Sequence, residues 1–525
     1  MIRVMDPSTG GGSAPERVRR RDAFPLVAGV VEVTLAILGI AASMLLKAVV
    51  DARGPLWLDE AWTAAIARAQ PFGAFVHQAW LDPNPPLYFL LMHAWVQVAG
   101  LSAAALRAPS LAFALATPLV VALVRTPGLS GPERLTWAAV LALWGQAILY
   151  AQEARAYSLL ILVATLQVIA FVRLLRAPTR GRAFAWAACA CLAILTHYHA
   201  LILTAAQGVL LLLALRRQAV RLWPALLAFL PALAWIGVHA PRVLVFARPE
   251  VAWYPPMDPW LLEQALDVAA DGWPVLAAVV VAVVGGIVVE RELGRAPTRF
   301  SPGEGALWLA AAASMAGAVA VVLLGFMRPS FTPRYLVAFG PGVLLGLVIA
   351  CRNLSADGAK LGRIGVLLIV SGSAAHLAWT QKPAERRAYQ FQTASDWLMA
   401  HGVRRLAVVW DNPTDRALAP EESRALFSVF FDRARRPVVV SDLGFDPDAA
   451  PDARLLAATP AAGDGLMWLY DVRVPNTAAR RFAPILPAAD AADPGLACRR
   501  FAGGALGVWA CARTAASSSA TAAPR

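Results

Sequence analysis

From Phe24 to Thr380 the chain is a succession of apolar runs broken only by short polar stretches. A helix needs about 20 mainly apolar residues to cross the hydrocarbon layer of a bilayer, and these runs approach that length repeatedly. The pattern predicts spans at 25–50, 104–124, 135–150, 157–175, 184–198, 201–215, 223–239, 273–289, 306–326, 335–350 and 364–379. That makes about eleven spans, the closely spaced pair at 184–215 leaving the count open. After Gln381 the grammar changes. Charged residues occur throughout, and short β-rich runs (Leu406 to Trp410, Val438 to Val440, Leu466 to Tyr470) alternate with helical patterns at Ala394 to Ala400 and Glu421 to Arg433. Alternation of that kind predicts a small α/β domain over 381–514. A polar arm at 1–23 with Gly10 to Gly12 is expected to be flexible, and the Ala/Ser/Thr-rich tail at 515–525 disordered.

Basic residues orient these spans. Arg17, Arg19, Arg20 and Arg21 stand before the first run, which is too long for a signal h-region and lacks a clear cleavage site. It is read as a span that stays, with the N-terminus cytoplasmic. Arg125 and Arg134, Arg173 to Arg182, Arg216 to Arg221, Arg291 to Arg299 and Arg352 to Arg363 then fall in inner loops, as the positive-inside rule requires. An odd number of spans places the 381–514 domain outside. The expected location is the cell inner (plasma) membrane, multi-pass, with an extracytoplasmic C-terminal domain.

Composition agrees with this picture: 58% of residues are hydrophobic and 15% charged, outside the soluble range. The net charge of +13 would raise the question of nucleic acid in a soluble protein. Here the basic residues lie between apolar runs, so topology explains them and no nucleic-acid partner is expected. The five cysteines show no zinc spacing. Cys498 and Cys511 bracket a stretch with Gly503 and Gly504 at its centre, which reads as a hairpin, and a disulfide fits there in an oxidising compartment.

Candidate chemistry concentrates in the external loop at 51–103, which begins Leu56-Trp57-Leu58-Asp59-Glu60-Ala61-Trp62. Two adjacent carboxylates at the outer end of a span must face water or a polar cavity. A solvated helix N-terminus, where the macrodipole favours acids, would explain them equally well. Beyond them, Ala61 to Ala69 and Phe72 to Trp80 read as short helices, and Pro85-Pro86-Leu87-Tyr88 opens an apolar helix to Val98. Counting that helix as a span would reverse every later loop against the arginines, so it is read as an amphipathic platform in the interface.

Leu58 to Thr63, then Asp82-Pro83-Asn84-Pro85-Pro86-Leu87-Tyr88 and Leu106-Arg107-Ala108-Pro109-Ser110, resemble the first-loop signature of the GT-C glycosyltransferases, family 39 branch. That branch includes protein O-mannosyltransferases, lipid A aminoarabinose transferases and bacterial transferases that use polyprenyl-phosphate sugars. Gln152 to Tyr157, Thr196-His197-Tyr198-His199 and Pro333-Arg334-Tyr335-Leu336 are further matching points, and the resemblance covers about 24–350. It implies an α-helical polytopic membrane protein of GT-C type with a small extracytoplasmic α/β domain. The implied activity moves a hexosyl or pentosyl unit from a polyprenyl-phosphate donor to a lipid, polysaccharide or protein acceptor of the envelope, by inverting displacement.

The resemblance makes Asp59 the catalytic base. It gives Glu60, Asn84, Tyr88, Arg155, His199, Arg334 and Tyr335 to substrate, with Arg334 on the phosphate. Glu153 matches a second acidic position where such enzymes sometimes hold a divalent cation, so Mg or Mn shared with Asp59 or Glu60 is one expectation. Structural pairing of Glu153 with Arg155 is the other. For Arg334 and Tyr335 the competing role is an interfacial anchor, and for His199 a packing histidine. In a helix, the two-residue spacing of His197 and His199 sends them to different faces, against a paired metal site. Asn84 stands where the aminoarabinose transferases typically carry Lys, which puts that donor in doubt. A transporter or flippase of lipid-linked or envelope precursors is the alternative, though no internal repeat is visible and the acids lie at external loops. A silent scaffold binding envelope polymers is a third.

Overall fold

The computed structural model describes residues 33–34, 36–45, 54–248, 251, 254, 256–292, 304–352, 368, 370–375, 390–412, 415, 417–444, 464–471, 495–503 and 506–513. The expected arm, the tail, most of the 364–379 span and much of the first lie outside the described residues. The first helix is α1 (Ala36–Leu45). The loop that follows folds as α2 (Leu58–Ala67), α3 (Phe72–Leu81) and α4 (Leu87–Ala99). Next come α5 (Ala103–Leu123), α6 (Gly131–Leu143), α7 (Gly145–Ala151), α8 (Tyr157–Arg176), α9 (Arg180–Thr196) and α10 (Ala200–Leu215). After these follow α11 (Leu230–Phe246), α12 (Pro259–Ala270), α13 (Gly272–Glu292), α14 (Gly305–Met327) and α15 (Gly340–Arg352).

Among the described residues, four helices are long and apolar enough to cross a bilayer: α5, α8, Trp223–Phe246 (a 3₁₀ turn continued by α11) and α14. A fifth arises if α12 and α13, bent by 64°, count as one. The expected eleven are not all present as single long helices. The run at 135–150 breaks at Trp144 into α6 and α7, and the run at 335–350 opens as the 3₁₀ turn Pro333–Leu336 before α15. Periodicity cannot see such breaks, because tertiary partners stabilise them. The Gly145 N–H, freed by the break, donates to Asp271 Oδ1 at 3.1 Å, and Trp144 Nε1 donates to the Val268 carbonyl at 3.1 Å, which pins the ring at the break. Gly340 lies under the Trp144 ring, where a Cβ would overlap the indole.

Leu212, Leu213, Leu233 and Leu323 point outward and are exposed, as helices solvated by lipid require. On α3 and α4 the faces divide. Phe75, Ala79, Phe89, Met92 and Val96 are buried, whereas Phe72, Val76, Leu90, Leu91 and Val98 are exposed, the two-faced pattern expected of an interfacial platform.

The C-terminal domain has α16 (Gln390–Ala400), β1 (Arg405–Asp411), α17 (Pro420–Arg433), β2 (Val439–Asp442), β3 (Asp464–Asp471), β4 (Leu496–Gly503) and β5 (Leu506–Arg513). Its sheet runs β2-β1-β3-β5-β4, with β1 parallel to β2 and β3 and the last two strands antiparallel. β4 and β5 pair as a hairpin in which Cys498 lies opposite Cys511, and the two are joined as a disulfide. The domain docks on the first loop. Arg68 binds Asp432 at 2.5 Å and Ser428 at 2.8 Å, Leu56 N–H donates to Gln392 at 2.7 Å, and Trp62 meets Trp410 at 6.3 Å between ring centroids.

Candidate active site

Helix α2 opens at Leu58, so its first turn carries Asp59 and Glu60, next to the unsatisfied N–H groups that favour acids. Successive helical residues are turned by about 100°, and the two carboxylates consequently face different surroundings. Glu60 is fully buried. Its Oε1 accepts from Arg107 Nε at 2.7 Å and from the Ala154 N–H at 2.8 Å. Its Oε2 accepts from Arg107 Nη2 at 2.6 Å and from the Trp57 N–H at 3.2 Å, where it caps α2 itself. Arg107, also buried, donates further to the carbonyls of Gly54 at 3.0 Å and Pro55 at 2.8 Å. Glu60, expected to touch substrate, instead joins α2, α5 and the segment at Ala154 from within.

Asp59 faces the open side, its side chain 21% exposed. Oδ2 accepts from Arg334 Nη1 at 2.8 Å, with Arg155 Nη2 at 3.9 Å, while Arg155 Nη1 donates to the Asp59 carbonyl at 3.2 Å. Arg334 comes from the 3₁₀ turn before α15, and Arg155 from the connection between α7 and α8. Three segments far apart in the chain thus bring one carboxylate and two guanidinium groups together. Glu153 is nearly buried beside them, two residues from Arg155.

Aromatic groups line the same region. The His199 ring stacks on Tyr335 with centroids 4.0 Å apart, and the Tyr335 and Tyr254 hydroxyls are 2.7 Å apart. His197 lies 5.8 Å from Tyr157 and 5.5 Å from Tyr335, centroid to centroid. Helical spacing would place the two histidines on different faces. In the structure α9 ends at Thr196, so both occupy a turn and their rings approach to 5.2 Å.

The segment after α3 completes this side. Asp82 Oδ1 accepts from both the backbone N–H and the side-chain amide of Asn84, each at 2.8 Å. Burial pushes the Asp82 carboxyl above the ordinary carboxylate range, with Arg155 and the Asn84 hydrogen bonds only partly opposing it. Tyr88 shares a hydrogen bond with Ser110 Oγ at 3.0 Å, and Ser110 donates to the Arg155 carbonyl at 3.2 Å, so the Tyr88 hydroxyl helps place Arg155. A narrow cavity is lined by Asn84, Tyr88, Arg155, Tyr157 and His197. Buried nearby, Arg155 Nε and His199 Nδ1 have no hydrogen-bond partner within the described chain, and such groups suit a ligand.

Mg or Mn was expected to be held by Glu153 together with Asp59 or Glu60. Such ions want several oxygen ligands, yet both Glu60 oxygens are engaged by Arg107 and backbone N–H groups, and Asp59 is paired with Arg334. Among the described residues no group of three His, Cys, Asp or Glu side chains is placed to hold a metal ion.

Arg107 and Asp82 stand within the sequence motifs but carry no role there, and Arg242 and Tyr254 lie outside those motifs. Arg107 and Arg242 carried a signal: a lone arginine inside a strongly apolar helix must find a buried partner.

No protein-family profile and no curated protein matches this chain. Among solved structures it is similar to ArnT from Cupriavidus metallidurans in the apo state, with a TM-score of 0.52 and 14% identity over 90% of this chain and 97% of that one. The same protein bound to undecaprenyl phosphate superposes with a TM-score of 0.46 and 15% identity over the same shares. The apo likeness shows that the two chains share a fold, here a body of packed helices followed by a small C-terminal α/β domain.

Proposed function

We propose that the chain is a membrane glycosyltransferase that takes a sugar from a polyprenyl-phosphate donor and passes it to an envelope acceptor, lipid, polysaccharide or protein, with inversion and with Asp59 as general base. The observation that carries this reading is the Asp59–Arg334 contact at 2.8 Å in a partly open site whose neighbouring Arg155 Nε has no partner among the described residues. Arg334 occupies Asp59 Oδ2 in the structure. When an anionic donor phosphate takes Arg334, the carboxylate is left free to accept the acceptor's hydroxyl proton. The acceptor oxygen forms a bond to the anomeric carbon as the bond from that carbon to the phosphate oxygen breaks. Polyprenyl phosphate leaves with the electron pair, its charge met by Arg334 and Arg155. Asn84, Tyr335 and His199 border the space where the sugar would sit.

In this reading the N-terminus is cytoplasmic and the C-terminal domain extracytoplasmic, in the inner membrane. The Cys498–Cys511 disulfide supports that side for the domain, since such bonds persist in oxidising compartments. The site opens on the same side, because α2 packs directly against α17.

The test incubates purified protein with a panel of polyprenyl-phosphate sugars and envelope acceptors, with and without chelator. Turnover by the wild type and its loss in Asp59→Asn are expected. Consumption of no donor would defeat the reading. One observation favours a transporter or flippase instead: two interrupted helices, α6/α7 and α12/α13, meet at Gly145 and the buried Asp271. Movement of intact lipid-linked precursor across proteoliposomes would decide for it.

A further inference from the structure

Helix α11 reaches the site without touching it. Trp235, Val238, His239 and Arg242 recur at helical spacing on one face, and each bonds either the end of α3 or Tyr198. The Val238 carbonyl accepts from Trp80 Nε1 at 3.0 Å, and His239 Nε2 lies 2.9 Å from the Trp80 carbonyl. Arg242 Nε donates to the Leu81 carbonyl at 2.7 Å. Tyr198 bonds the other His239 nitrogen and receives Trp235 Nε1 at 3.1 Å. The last carbonyls of a helix have no partners within it, so α11 supplies the missing donors to α3. Immediately beyond lie Asp82, buried, and Asn84, which lines the cavity.

Arg242 is also held from the other side. Its Nη1 donates to the Ala417 carbonyl at 2.7 Å and its Nη2 to Glu422 Oε2 at 2.5 Å, both in the C-terminal domain, while Glu422 accepts the Ala419 N–H at 2.7 Å. Arg242 and Glu422 are both nearly buried. One guanidinium therefore spans α11, the segment leading into the site and the C-terminal domain. We propose that Arg242 is a positioning residue through which the C-terminal domain, by way of Glu422, holds the 81–84 segment and so sets how tightly the cavity binds its sugar-bearing lipid. The placement of the segment stands on geometry alone; the kinetic consequence rests on the transfer reading.

Two measurements on the full-length protein in detergent separate these parts. Hydrogen exchange followed by mass spectrometry should show amides at 81–88 of Glu422→Ala and Arg242→Ala exchanging about tenfold faster than wild type, with peptides of α5 and α8 unchanged. Arg242→Lys, which still donates to Leu81, should recover most of the protection. Unchanged exchange at 81–88, or loosening spread evenly over α5 and α8, would overturn the proposal. With an active donor in hand, Arg242→Ala should raise the donor KM about tenfold and leave kcat within about twofold. Lower kcat at unchanged KM would instead mark a structural loss and refute the role in binding. If wild type consumes no donor, the transfer reading fails while the exchange result still decides the positioning.

Discussion

Glu60 and Asp59 are neighbours in one helical turn, and each meets an arginine. Glu60 and Arg107 are sealed, their side chains 0% and 2% exposed, and four hydrogen bonds fill the carboxylate. Asp59 and Arg334 are 21% and 23% exposed, with Oδ2 2.8 Å from Arg334 and 3.9 Å from Arg155. A sealed, filled pair resists exchange of partners, because parting its charges would leave either one desolvated. An open pair can exchange partners, since a phosphate can replace the carboxylate on the guanidinium and water can reach both. The contrast separates a residue that builds the site from one that can act in it.

The largest effect expected is on turnover. Asp59→Asn should lower kcat by about 10²- to 10⁴-fold, with elution from a sizing column as in wild type. Equal loss in a Glu60→Gln variant that folds normally would erase the distinction. For the sealed pair, Arg107→Met should instead lower unfolding free energy by about 3–5 kcal/mol, read by thermal or denaturant unfolding, because it strands the Glu60 charge. The double variant Glu60→Gln, Arg107→Met should recover much of that loss. At the open pair, Arg334→Gln should cost about 10²- to 10³-fold in kcat/KM with little change in unfolding, since a solvated Asp59 tolerates its absence. Smallest is the docking contact. Arg68→Ala, which removes the partly exposed ion pair with Asp432, should destabilise by about 1 kcal/mol or less in the same unfolding measurement.

Much of this was legible in the chain. The spans at 104–124, 157–175 and 306–326 nearly coincide with α5, α8 and α14, because each is a long apolar run that satisfies its backbone within its own helix. The loop helices α2, α3 and α4 and the Cys498–Cys511 hairpin were legible for a similar reason, since proline and glycine mark their limits. The breaks at Trp144 and ahead of Gly340 were not. Their stability lies in Asp271, Val268 and the Trp144 ring, contacts that apolar periodicity does not encode. At the site, Asp59, Arg155, Arg334, Tyr335 and His199 were named from motifs and the structure gathers them. Glu60 and Asp59 could not be told apart by sequence, since both satisfy the same helix N-terminal preference.

The sequence by itself determined that most of this chain is solvated by lipid, that an acidic turn stands at the head of its first loop, and that a mixed domain follows. Those conclusions need only run length and the unfavourable transfer of charge into hydrocarbon. The tertiary structure decided which of the two carboxylates is open and which arginine each one meets. It also decided that Arg242 ties the C-terminal domain to the site. Such pairings join residues far apart in the chain, 275 positions for Arg334 and Asp59, and arise only when helices close on one another.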